Sequence, residues 1–119
     1  LRDGIKLKYV DVKLPSENET DLTNAYVEQF SAKTKIVHVT HLVNWTGQIL
    51  PAARIAREAH RRGIEVLVDG AHSFAHLDYK IPDLECDYFG TSLHKWLCAP
   101  IGSGMLWMKR EKIASVFPL

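Results

Sequence analysis

The sequence predicts an α/β fold in which a mostly parallel sheet is flanked by helices. Three observations carry that expectation. Short apolar runs of strand length, KIVHVT (35–40), IEVLV (64–68) and DYFGT (87–91), are interleaved with stretches whose apolar residues recur at helical spacing. The helix expected between the first two runs has a start signal in Pro51 and a stop signal in Gly63. Each run also ends close to polar residues, as when strands deliver side chains to the carboxyl edge of an open sheet.

Along the chain, residues Ile5 to Val12 (IKLKYVDV) alternate in the manner of a strand with one buried face. Pro15 to Glu19 is polar and turn-rich. Thr20 or Asp21 is placed to cap a helix that sets Leu22, Ala25, Tyr26 and Phe30 on its apolar side. The run 35–40 is nearly continuously apolar, which predicts an interior strand. A loop from His41 to Leu50 contains Asn44, Thr46 and Gly47. The next helix runs from Pro51 to about Arg62, with Ile55, Ala56 and Ala59 toward the core, and Arg61 and Arg62 at the negative end of its dipole. After the strand 64–68, ending at Asp69, residues 70–86 read as loop or broken helix. The strand 87–91 leads into a turn holding Ser92, His94, Lys95 and Trp96. Met105 to Met108 is a last strand, and a helix begins at Arg110 and reaches Val116. No repeat, low-complexity stretch or linker divides the chain.

The chain has 119 residues, enough for one domain with a hydrophobic core. Lys and Arg total 15 against 14 Asp and Glu, which leaves no basic stripe to suggest a nucleic-acid or membrane-surface partner. The apolar runs fall well short of the roughly 20 residues that span a bilayer. Cys86 and Cys98 are too few to staple a secreted mini-domain and lack metal-ligand spacing, so a cytoplasmic location is expected. The chain opens on Leu1 and not on Met, so the lack of a leader sequence says little.

The chemistry-bearing residues follow the strands. Asn44 comes after the first run, Asp69 and His72 after the second, and Ser92, His94 and Lys95 after the third. Each has a plainer alternative. Asp followed by Gly is often only a turn, a lone lysine is usually solvated, Ser92 could cap a short helix, and Asn44 with Gly47 could serve backbone conformation. The three tryptophans, Trp45, Trp96 and Trp107, read as packing residues, and the two cysteines as small buried hydrophobes. His72, His76 and Asp78 could ligate a metal if their segment were helical, but Gly70 and the Ser-Phe-Ala stretch make a poor helix face, and no metal is expected.

Three runs taken together resemble successive blocks of the class V aminotransferase family: HVTHLVNWTGQILP, VLVDGAHSFAH and TSLHKWLCAPIGSGMLW. That family includes cysteine desulfurases, selenocysteine lyases and isopenicillin N epimerase. The resemblance covers nearly the whole chain from about Gly4. It implies part of the large domain of the type I pyridoxal-phosphate fold, a three-layer arrangement of helices about a mostly parallel sheet. It implies pyridoxal 5'-phosphate as cofactor, an amino acid as substrate and a homodimer in the full-length protein. By position, Lys95 would hold the cofactor as a Schiff base and Asp69 would pair with its pyridine nitrogen. His72, where desulfurases carry Gln and epimerase-like members His, would meet its phenolic oxygen. Asn44 would lie near the same ring edge, and Ser92 and His94 would help hold the phosphate.

These residue types suit those roles. A carboxylate favours the protonated ring nitrogen that makes the cofactor an electron sink. An amine attacks an aldehyde only unprotonated, and it can afterwards move an α-proton. Hydroxyl and imidazole donors suit a phosphate dianion. Family members are longer, and three of their parts have no counterpart in these residues: an N-terminal segment that completes the phosphate site, a C-terminal small domain with a carboxylate-binding Arg, and a loop Cys in desulfurases. The isolated stretch is therefore expected to be inactive. His72 in place of Gln points toward the epimerase-like branch, with desulfurase or selenocysteine lyase as the alternative and a non-catalytic binding module as the reading of another class.

Overall fold

The computed structural model describes residues 4–116. Helix α1 spans Glu19–Val27, strand β1 Ile36–Thr40, helix α2 Ala52–His60, and strands β2, β3 and β4 Glu65–Asp69, Tyr88–Ser92 and Gly104–Met108. The strands form one sheet in the order β1-β2-β3-β4. The first three are parallel, and β4 runs antiparallel to β3. The α/β class with a mostly parallel sheet is therefore as the sequence predicts. The reversal at β4 has a simple cause. Residues 93–103 supply only irregular turns, whereas a parallel neighbour needs a crossover of a dozen or more residues, usually helical.

Burial alternates along every strand. Val37 and Val39 of β1, Val66 and Val68 of β2, and Phe89 of β3 face one hydrophobic cluster with Leu22, Ile55, Ala56 and Ala59. Helix α2 lies on β1 and β2, and α1 packs against α2. Asn18, not Thr20 or Asp21, caps α1: its Oδ1 accepts from the Thr20 and Asp21 amides at 2.9 and 3.3 Å. The helix stops before Phe30, which still packs on the core. Pro51 stands at the N-cap position just before α2 and makes no side-chain capping bond, and Gly63, at φ +68°, follows the helix end at His60.

Three expectations about the elements need correction. Residues Ile5 to Val12 form no strand. Tyr9 is 82% exposed, and only Val10, Val12 and Leu14 touch the core. Alternation fixes which side chains face inward, but a strand also needs a neighbour for its amides, and among the described residues none pairs there. Among the described residues β1 stands at the edge of the sheet and not in its interior, and Ile36 and His38 are exposed on the face away from α2. The segment from Arg110 is a 3₁₀ helix ending at Ser115.

The amino end of the sheet is tied by Asp87, which is almost fully buried. Its Oδ2 accepts from the Val66 amide and from His60 Nε2, both at 2.8 Å, and its Oδ1 from Lys109 Nζ at 3.1 Å. Burial pushes this carboxyl up, but the three donors outweigh it and hold the group below its ordinary range.

Candidate active site

The register of the sheet brings Asp69, His72, Ser92 and Lys95 to one edge. Thr40, Asp69 and Gly90 stand side by side across β1, β2 and β3. Beyond them lie the turns that carry His72 and Lys95. On the sheet face away from α2, a groove of about 690 Å³ is lined by Asp69, Ala71, Gly90, Ser92 and Lys95, with His38 and Leu106 at its sides.

Asp69 ends β2 half-buried, and its Oδ1 accepts from the Ala71 amide at 2.8 Å, which fixes the carboxylate at the start of the following turn. Lys95, also half-buried, brings its Nζ to 3.0 Å from His72 Nε2. An ammonium can only donate, so a charged Lys95 requires Nε2 of His72 to be unprotonated, and a neutral amine can accept from it instead. The contact therefore holds one proton, carried by Lys95 or by His72. Ser92 closes β3 at the groove wall. Gly90 sits in register with Asp69, and a Cβ on it would meet no atom within 4 Å, so the floor beside the carboxylate is left bare.

Asn44 and His94 stand apart from this group. Asn44 is exposed on the turn between Leu42 and Ile49. His94 is exposed as well and donates Nδ1–H to the Ser103 carbonyl at 3.2 Å. Neither lines the groove. Trp45, expected to pack, is 89% exposed, and Cys98, expected to be buried, is exposed at φ +57°. Cys86 is buried, and burial pushes its thiol up to about 11, which leaves it protonated and inert. Among the described residues no three His, Cys, Asp or Glu side chains gather as a metal site.

A set of residues not singled out in the sequence supports the His72 turn from below. The His41 imidazole lies 3.0 Å from Ser73 Oγ, which lies 2.9 Å from the Tyr79 hydroxyl. His41 also meets the Tyr79 ring edge-on at 4.8 Å. Burial holds His41 below its usual range, and so neutral at pH 7. His41 N donates to the Asp69 carbonyl at 2.9 Å, so the same residue anchors the ends of both β1 and β2. The one sequence signal for this set is a histidine directly after a buried strand, which does not reveal its partners.

A carboxylate, an amine and an imidazole thus gather at the carboxyl edge of an open α/β sheet, the edge at which such sheets commonly bind small molecules. The particular family follows from sequence. Residues 2–119 match the aminotransferase class-V family, and the chain belongs to it. It is 37% identical to isopenicillin N epimerase of Streptomyces clavuligerus over 98% of its own length and 29% of that protein's. It is 42% identical to a cysteine desulfurase of Synechococcus elongatus over 97% of its length and 18% of the relative's. The chain thus spans less than a third of either relative. Among solved structures, that of the C-DES mutant with glycine covalently linked to its PLP cofactor aligns with a TM-score of 0.76 and 32% identity, covering 82% of this chain and 26% of that one.

Proposed function

We propose that this chain is the central part of the large domain of a pyridoxal-phosphate enzyme that acts on an amino acid, in the isopenicillin N epimerase-like branch of its family. The observation that carries this reading is the Lys95 amine 3.0 Å from His72 at the edge of the groove that Asp69 lines. The residues present fit the cofactor. The groove offers a carboxylate, an amine and the Ser92 hydroxyl around a floor that Gly90 leaves bare. When bound, the cofactor supplies an electron sink for breaking bonds at an amino acid's α-carbon.

The chain's own residues divide the remaining work. Lys95 would hold the cofactor, and its amine would then be placed to take or return the α-proton. His72 would orient that amine and meet the cofactor's phenolic oxygen. Asp69 would face the cofactor's ring nitrogen, where a carboxylate favours the protonated form. Ser92, which lines the groove, would donate to the phosphate. His94 and Asn44 lie outside the groove, so their roles at the phosphate and the ring edge rest on the resemblance alone, and we take the assembled enzyme to be a cytoplasmic homodimer. His72 favours the epimerase-like branch. The 42% identity to a cysteine desulfurase favours the second reading, sulfur removal from cysteine.

The test is borohydride reduction of the full-length protein after incubation with pyridoxal phosphate, followed by peptide mass spectrometry. A phosphopyridoxyl mass is expected on the peptide carrying Lys95 and is lost in Lys95→Ala. Retention of the adduct in that variant refutes the lysine assignment. A folded protein with no adduct at all leaves the non-catalytic binding module as the reading.

A further inference from the structure

The turn that carries Lys95 has no helical or sheet ladder of its own. Three backbone bonds shape it: Cys98 N to Lys95 O, Ala99 N to Leu93 O and Leu93 N to Ser103 O, each at 3.1 Å. None of these reaches the turn that carries His72. Among the described residues, one side-chain hydrogen bond and one ring stack cross between the turns. The bond is the Lys95–His72 contact itself. The stack sets Trp96 on His76, with centroids 3.9 Å apart and planes 22° from parallel.

We propose that Trp96 and His76 are positioning residues whose stack locks the two turns together and so fixes the Lys95 amine at His72. The proposal rests on the reading of Lys95 as the cofactor's attachment point. His76 is tied to the residue it serves, because its Nδ1–H donates to the His72 carbonyl at 3.2 Å. That turn is itself held from beneath through Ser73. Trp96 is the immediate neighbour of Lys95, so its anchoring fixes the backbone from which the amine projects. Core packing does not account for its place, since Trp96 is 49% exposed and lies on an imidazole outside the hydrophobic cluster. A lysine on an untethered turn must search many rotamers, and tethering the turn removes much of that search.

The test uses the full-length protein as wild type, Trp96→Ala, Trp96→Phe and His76→Ala. Competitive acetylation read by peptide mass, with exposed Lys80 as internal standard, reports the setting of Lys95 without any cofactor. Both alanine variants are expected to change the Lys95-to-Lys80 labelling ratio by about twofold to tenfold, the range such a ring pair supports. Trp96→Phe, which keeps a ring to stack, is expected to restore the wild-type ratio. The rate at which pyridoxal phosphate attaches to Lys95 should slow in the same variants and recover in the same one. Equal ratios in all four proteins, or a Phe variant as defective as the Ala one, would overturn the proposal. So would a general rise in labelling of every lysine, which means unfolding and not mispositioning. Wild type that takes up no cofactor refutes the attachment reading alone, and the labelling ratio still decides the clamp.

Discussion

Gly70 lies between Asp69 and the turn that carries His72, and replacing it with alanine tests how tightly the site is built onto the core. A Cβ there would sit 2.0, 2.3 and 2.9 Å from three atoms of the Phe89 ring. Carbon atoms rest at about 3.5 Å or more, so the ring must retreat by about 1.5 Å. It has little room to do so, because Phe89 is fully buried and meets the rings of Phe74 and Tyr79. The backbone cannot easily yield either. Gly70 N donates to the Gly90 carbonyl at 2.8 Å, and the Gly70 carbonyl accepts from Thr91 Oγ1 at 3.1 Å. Overpacking of this kind costs about 1–3 kcal/mol, and the depth of this overlap places Gly70→Ala at about 3 kcal/mol. The assay is the urea unfolding midpoint of the full-length protein, with Phe89→Leu and the double variant alongside. Removing the ring relieves the clash, so the double variant should be at least about 1 kcal/mol more stable than the sum of the singles predicts. A Gly70→Ala protein within about 0.5 kcal/mol of wild type, or strict additivity, would refute the reasoning.

Asp87→Asn should lower stability by about 2–3 kcal/mol at pH 7, because it removes the charge that His60 and Lys109 share at a buried position; a urea midpoint unchanged from wild type would count against this. Asp87's carboxyl is held down in the folded state, so its contribution is complete above the unfolded carboxylate value near pH 4 and is lost as pH falls through the folded value. His41 is also held below its unfolded value, so the unfolded chain takes up that proton first, and stability falls as pH drops below about 6.5. The difference in urea midpoint between pH 8 and pH 5.5 should be smaller in His41→Asn than in wild type, and equal differences would show that His41 does not titrate as its burial requires.

Much of this architecture was legible because the period of burial is local. The alternation of Val66 and Val68 against Leu67, and the spacing of Ile55, Ala56 and Ala59, each state a face and an element within a few residues. Asp69 and Ser92 were legible as strand-end residues for the same reason. Pairing is not local. The Ile5 to Val12 run alternates well enough for a strand, yet nothing in it reveals whether a neighbour supplies hydrogen bonds. β1 is apolar enough for the interior and still lies at the edge of the sheet among the described residues. The contacts among His41, Ser73 and Tyr79 join positions 32 and 6 residues apart, and no spacing rule relates them. The His76–Trp96 stack escaped the same way, since it depends on how two irregular turns settle against each other.

The period of two along β2 and β3 explains why packing and chemistry can be tuned separately here. Phe89 points into the core and fills the space that Gly70 leaves, while the next residue, Gly90, leaves the opposite face bare beside Asp69. Val68 and Asp69 repeat that division one strand over, the first fully buried and the second lining the groove. The core side therefore sets the height of the strand ends, and the open side presents the groups that meet a ligand. Lys95 and His72 stand outside this period, on turns, so their separation must be set by contacts between turns. The two residues closest to the proposed chemistry are thus the ones least determined by the sheet. Substitutions in the core should reach them through Gly70, Ser73 and Phe74 of the His72 turn, whereas substitutions at Trp96 and His76 should act on them directly.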